Sequence, residues 1–259
     1  MSGDIHAVLR GIPDLICFWD FQEGPGEARV AKGPHPYRLI EMAGPVRRAD
    51  DGALGPYSAL LDEGQWFCAP RATCPELNVY GKDAQVTVAA WIKRHRTAPN
   101  QCEAVAGMWD ETRSKRQYCL FLNLRIWESQ DQVCGHVSSV GGPTPGHRYC
   151  MDASIGQTPV PFGVWQFAAF TYDGAFAKSY LNGVLDERPG RNPYPYEGGI
   201  FDGGESGSDF SVGGVSRSGE MGNWFSGQLG GLAVWRRALS PIEIGRLYEK
   251  TRPATTTSS

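Results

Sequence analysis

A chain of 259 residues with a net charge of −3 lacks the basic surface that nucleic-acid binding calls for, so nucleic acid is not an expected partner. No apolar run approaches the about 18 residues of a membrane-crossing helix, so no membrane role is expected. Its 33 glycines and 18 prolines suit many short strands joined by turns.

Residues 1–13 read as a lead-in, helical or irregular. MSGDIHAVLRG has no basic start followed by a long apolar core, so no signal peptide is expected; the chain is cytoplasmic or a processed secreted form. Seven cysteines leave at least one thiol unpaired. Cys17 and Cys119 lie in apolar strands and act as small hydrophobes. Cys68 and Cys74 are close enough in sequence to bridge a loop in an oxidising compartment. No CxxC pair points to zinc, and no N-x-[ST] sequon occurs.

The segment 15–22, LICFWDFQ, alternates as a first strand, with Leu15, Cys17, Trp19 and Phe21 on one face. Weaker strands follow at 37–42, 57–61 and 65–68. QVTVAAWIK at 85–93 is a strong strand, and 104–108 is the next. Segments 117–125 and 132–139 form an antiparallel pair. In it Tyr118, Leu120, Leu122 and Leu124 face the core, as do Val133 and Val137. Cys119, Phe121, Asn123, Arg125, Cys134, His136 and Ser138 then face outward. Segment 165–183, WQFAAFTYDGAFAKSYLNG, is a hairpin that turns at Asp173-Gly174 and again at Asn182-Gly183. Residues 210–215 lead into a closing strand rich in Leu229, Leu232, Val234 and Trp235. Ser240, Pro241 and Glu243 then spell a capping box that opens a short helix with Ile244, Leu247 and Tyr248 on one face. The body spans 14–250, and residues 251–259 are expected to form a disordered tail.

The stretch 225–249, FSGQLGGLAVWRRALSPIEIGRLYE, resembles the C-terminal signature of laminin-G-like domains of the concanavalin A-like lectin/glucanase superfamily. The strands at 86–93 and 165–183 match the same family. The resemblance implies an all-β fold: a two-sheet antiparallel β-sandwich, or jelly roll, with one short C-terminal helix. It also implies a carbohydrate partner, an oligo- or polysaccharide, although many such domains bind proteins instead. Calcium is common in the family, which makes a structural calcium site with Asp20 and Glu23 one expectation.

Three possible sets of residues bear on the functional reading. Loop aromatics can stack on the apolar faces of pyranose rings. Trp109, Trp127, Tyr149, Tyr194, Tyr196 and Trp224 are the candidates, with His147 beside them. If the chain is an enzyme, the second set serves a β-eliminating lyase on uronate-containing glycans. His136 or Tyr149 would be the base, and Arg125 or Arg148 the carboxylate clamp. The bland alternative for the strand-borne set is a solvated polar face; for the aromatics it is local packing. The third set is the paired carboxylates of a glucanase, and here no E-x-D-x-x-E run exists.

Overall fold

The computed structural model describes residues 5–96 and 101–253. Two large antiparallel sheets form a sandwich. The first has nine strands. Arg47–Ala49, Ser58–Leu61, Gly227–Trp235, Val86–Arg94, Trp165–Tyr172, Phe176–Leu181 and Val184–Leu185 follow in that order. Leu15–Trp19 pairs along Gly227–Trp235, and Tyr194–Pro195 along Phe176–Leu181. The second sheet has eight strands, ordered Ala153–Pro159, Gln132–Val137, Tyr118–Leu122, Glu103–Met108, Phe210–Val212, Trp66–Ala69, Arg38–Met42 and Arg29–Val30.

The period of two explains the layering. In Val86–Arg94, residues Val86, Val88, Ala90 and Ile92 enter the core between the sheets. Ala89 and Trp91 face the other way, into a second apolar cluster. Phe170 and Tyr172 likewise point between the sheets, while Phe167 and Ala169 point outward. The sheets approach closely where Phe170 crosses Gly135: a Cβ at that glycine would fall 1.8 Å from the Phe170 ring.

The outer cluster is covered by the two helices. Ile5–Arg10 contributes Leu9, and Pro241–Thr251 contributes Ile244 and Leu247. Full burial of each such side chain stabilises by about 1.5–3 kcal/mol. The capping box forms: Glu243 N–H donates to Ser240 Oγ at 3.3 Å, and Ser240 N–H donates to Glu243 Oε2 at 2.9 Å. Among the described residues no helix is long and apolar enough to cross a membrane.

Several expectations change in detail. The first strand carries a bulge between Leu15 and Cys17, which sends Leu15 to the helix side while Cys17, Trp19 and Phe21 stay between the sheets. Leu124 lies on the outer face of the eight-stranded sheet, because that strand ends at Leu122 and Asn123 turns the chain with φ 54°. The helix reaches Thr251, whose buried hydroxyl accepts from Trp91 Nε1 at 3.0 Å, so the expected tail begins inside the packed body. Residues 254–259 lie outside the described residues. All seven thiols are free, and Cys68 and Cys74 contact Asp209 and main-chain carbonyls respectively.

One ion pair joins the two sheets. Arg94 and Glu103 are both fully buried, and the guanidinium grips the carboxylate with Nε at 3.0 Å and Nη2 at 2.5 Å. Arg94 Nη2 also reaches Asp131 Oδ1 at 2.8 Å, and Nη1 donates to the Val160 carbonyl at 2.8 Å. Glu103→Leu, which leaves that cation short of a counter-charge, is expected to lower stability by about 3–5 kcal/mol in urea unfolding. The Arg94→Met/Glu103→Leu double variant is expected to recover most of the loss. An equal loss in the double variant would mean that charge compensation is not what the pair supplies.

Candidate functional site

The outer face of the nine-stranded sheet is occupied by helices; the outer face of the eight-stranded sheet holds a pocket of about 180 Å³. Its floor follows from strand alternation. His136 pairs with Cys119 across the ladder, and Cys134 with Phe121, so Phe121 and His136 emerge on one surface. Trp109 lies just past the end of Glu103–Met108 and is 1% exposed. Its ring sits 4.8 Å from the His136 ring and edge-on to Phe121 at 5.9 Å.

Three loops build the walls. The turn after Leu122 supplies Leu124, Arg125 and Ile126. Its backbone is unusual: Asn123, Arg125, Trp127, Glu128 and Asp131 all have φ between 52° and 63°. Side chains disfavour this left-handed region, and such residues concentrate at ligand clamps. Asn123 braces the turn, with Nδ2 donating to the Gln101 carbonyl at 2.8 Å and Oδ1 accepting from Asp131 N–H at 3.2 Å. The second loop brings Tyr149 and Cys150. The hairpin Val215–Arg217 with Glu220–Gly222 brings Arg217, and Asn223 follows it.

The polar lining is largely fixed in place. Glu111 Oε1 accepts from Trp109 Nε1 and from Asn223 Nδ2, each at 3.3 Å. Arg217 Nη1 donates to Asn223 Oδ1 at 2.8 Å. Arg116, 5% exposed, donates through Nη1 to the Gly141 carbonyl at 3.3 Å, while its buried Nε has no hydrogen-bond partner among the described residues. His136 Nδ1 donates to the Asp152 carbonyl at 2.9 Å, which leaves Nε2 as the ring's acceptor. Burial pushes the pKa of His136 down to about 4, with the Arg116 charge acting in the same direction. Burial likewise raises the Cys102 thiol to about 11.

The structure brings His136, Arg125, Tyr149 and Trp109 into this one pocket. Trp109 is a correction to the exposed loop aromatic expected from sequence: it is floor, not rim. Tyr149 is the accessible ring, 49% exposed, with the Arg148 guanidinium 5.2 Å from its centroid. Trp127 and His147 meet edge-to-face at 6.1 Å, and Arg191 covers one Trp127 face at 4.0 Å. Tyr194 and Tyr196 stand apart from the pocket. Their hydroxyls donate to Asp152 Oδ1 at 3.0 Å and Ser139 Oγ at 2.7 Å, and their rings pack on the core. Trp224 lies against Gly214, where a Cβ would meet its ring at 2.7 Å. Asp20 is held by Lys32 and by His6 Nε2 at 2.9 Å, and Glu23 lies 3.8 Å from Arg29. Among the described residues no three His, Cys, Asp or Glu side chains gather as a metal-binding group. Arg116, Arg217 and Asn223 went unnoticed in the sequence, where Glu111 counted only as one of several scattered carboxylates. Glu111 and Arg116 come from the loop before Tyr118–Leu122, Arg217 and Asn223 from the hairpin Val215–Arg217 with Glu220–Gly222 and the residue after it, and only the folded sheet brings the two together.

A larger concavity of about 930 Å³ lies on the opposite sheet, beside the C-terminal helix. Its charged groups are already satisfied by each other: Lys93 pairs with Asp51, which also accepts from Trp165 Nε1 at 2.9 Å.

The laminin G family model described as "Concanavalin A-like lectin/glucanases superfamily" matches residues 69–245. Among solved structures, domain 4 of AbnA, an extracellular arabinanase from Geobacillus stearothermophilus in complex with arabinotriose, is similar at TM-score 0.54 and 18% identity. That likeness covers 91% of this chain and 98% of that one. The Ruminococcus gnavus sialidase CBM40 bound to α2,3-sialyllactose gives 0.53 and 15%, covering 74% of this chain and 96% of that one. The botulinum neurotoxin serotype G binding domain gives 0.60 and 10%, covering 91% and 50%. At these identities the likeness is one of fold. No curated protein sequence matches the chain.

The neutral His136 has a measurable consequence. Between pH 6.5 and 4 the unfolded chain takes up a proton on this ring that the folded protein refuses. Stability is therefore expected to fall as pH drops through that window, by up to ~3 kcal/mol. Urea unfolding of the wild type and His136→Gln at pH 7, 5 and 4 checks this. The variant should lose less stability than the wild type over the same range.

Proposed function

Since the chain belongs to the laminin G family of the concanavalin A-like lectin/glucanase superfamily, we propose that it is a carbohydrate-binding module. Its ligand sits in the pocket on the outer face of the eight-stranded sheet. The observation that carries this reading is the combination of an accessible ring, Tyr149, with fixed polar groups from Arg116, Glu111, Asn223 and Arg217 around an aromatic floor. Apolar ring faces stack on aromatics while hydroxyls need donors and acceptors held in place, and this pocket offers both. The solved structures of similar fold with bound arabinotriose and sialyllactose add general support for a sugar partner.

A second reading, a β-eliminating lyase, draws on the convergence of His136, Tyr149 and Arg125 in one pocket. The pKa of His136, pushed down to about 4 by burial, makes it a weak base and favours binding over catalysis. Protein interaction without sugar is the remaining alternative.

Electrophoresis in gels containing a polysaccharide panel separates these readings. A binding module is expected to be retarded by at least one polysaccharide. Tyr149→Ala and Arg125→Ala should weaken that retardation about tenfold, in keeping with the loss of a stacking or charged contact. Tyr194→Phe should leave it unchanged. Unsaturated product absorbing in the ultraviolet, abolished in His136→Ala, would establish the lyase instead. Neither retardation nor product would leave protein interaction.

A further inference from the structure

We infer that the sugar ring held in this pocket is anionic, its carboxylate or sulfate met by the guanidinium groups of Arg116, Arg125 and Arg217. The inference rests on the carbohydrate reading above and narrows it to a class of ligand.

Charge is the first support. The chain as a whole carries −3, yet the pocket is lined by three arginines against one carboxylate, Glu111. His136 adds no positive charge at neutral pH. Glu111 is also occupied, accepting from Trp109 and Asn223.

The state of each arginine is the second support. Several guanidinium groups elsewhere in this fold sit closely on carboxylates: Arg29 on Glu41 at 2.8 Å, Arg94 on Glu103, Arg237 on Glu243 at 2.5 Å. In the pocket the one such contact, Arg116 with Glu111, is long. Arg125 makes no ion pair or hydrogen bond among the described residues. Arg217 donates to a neutral amide. Arg116 comes no nearer to Glu111 than 3.9 Å, and its buried Nε lacks a partner among the described residues. A buried cation with unused donors is costly unless something fills them. A planar guanidinium matches an oxyanion with two parallel hydrogen bonds.

Position is the third support. Arg125 is placed at the lip by a left-handed backbone, φ 58°, in the turn that Asn123 braces. The volume of about 180 Å³ is below the about 300–1,000 Å³ that takes a drug-sized ligand, so the pocket admits one ring and not a chain segment.

Calorimetry on the full chain tests this with uronate oligosaccharides and their carboxyl-reduced forms, and with sulfated galactan oligosaccharides and their desulfated forms. At least one acidic form is expected to bind tenfold or more tightly than its neutral counterpart, with affinity falling as salt rises. Which pair shows the difference tells carboxylate from sulfate. Arg125→Gln, an exposed position, should remove most of that difference. Arg47→Gln, whose partner is Asp62 on the other sheet, should not. Equal binding of acidic and neutral forms would overturn the inference and leave the carbohydrate reading intact. Loss in Arg47→Gln as large as in Arg125→Gln would also overturn it, as general charge attraction. No binding by any member of the panel would remove both.

Discussion

A guanidinium with no access to water holds the sandwich and its pocket in one frame. Arg94 leaves the nine-stranded sheet and meets Glu103 at the start of a strand in the other. Burial opposes its charge, but the hydrogen bonds it donates to Glu103 and Asp131 more than offset this and raise its pKa. Phe162 closes over the group, 4.2 Å from the guanidinium carbon. Asp131 is also the far end of the left-handed turn that carries Arg125. The same cation therefore fixes the spacing of the sheets and anchors the most strained segment of the pocket wall. A shift of either sheet would be felt at the lip through one side chain.

Much of the fold could be read from local pattern. The alternation in 86–93 and 165–172 left little choice, because a one-residue slip would turn Trp91 or Phe167 into the wrong layer. The capping box at Ser240 and Glu243 marked the helix start to the residue. What sequence missed was set by backbone irregularity. The bulge near Ile16 and the turn at Asn123 each break the period of two, and each moved a leucine to another face. Neither carries a glycine or proline that would have signalled it.

The candidate site was legible only where it sat on a strand. His136 and Phe121 share a face by simple parity, and Arg125 followed from the same count although the strand had already ended. The aromatics were harder, because exposure depends on what arrives from elsewhere. Tyr194 and Tyr196, framed by prolines, look like rigid binding rings, yet their hydroxyls reach Asp152 and Ser139 and serve the sandwich edge. Trp109 follows a strand and reads as loop, but Arg116 and His136 pack over it. Partners from other segments decide such cases: Asp152 and Ser139 for the tyrosines, Arg116 and His136 for the tryptophan.

The two helices are in contact with each other on the outer face of the nine-stranded sheet, and each lies at one end of the described chain. The pocket opens on the opposite side of the sandwich. Anything joined to either end, whether a bead, a neighbouring domain or a reporter, is therefore attached at the back of the molecule. The face that carries the pocket is then turned away from its tether and toward whatever surface it meets.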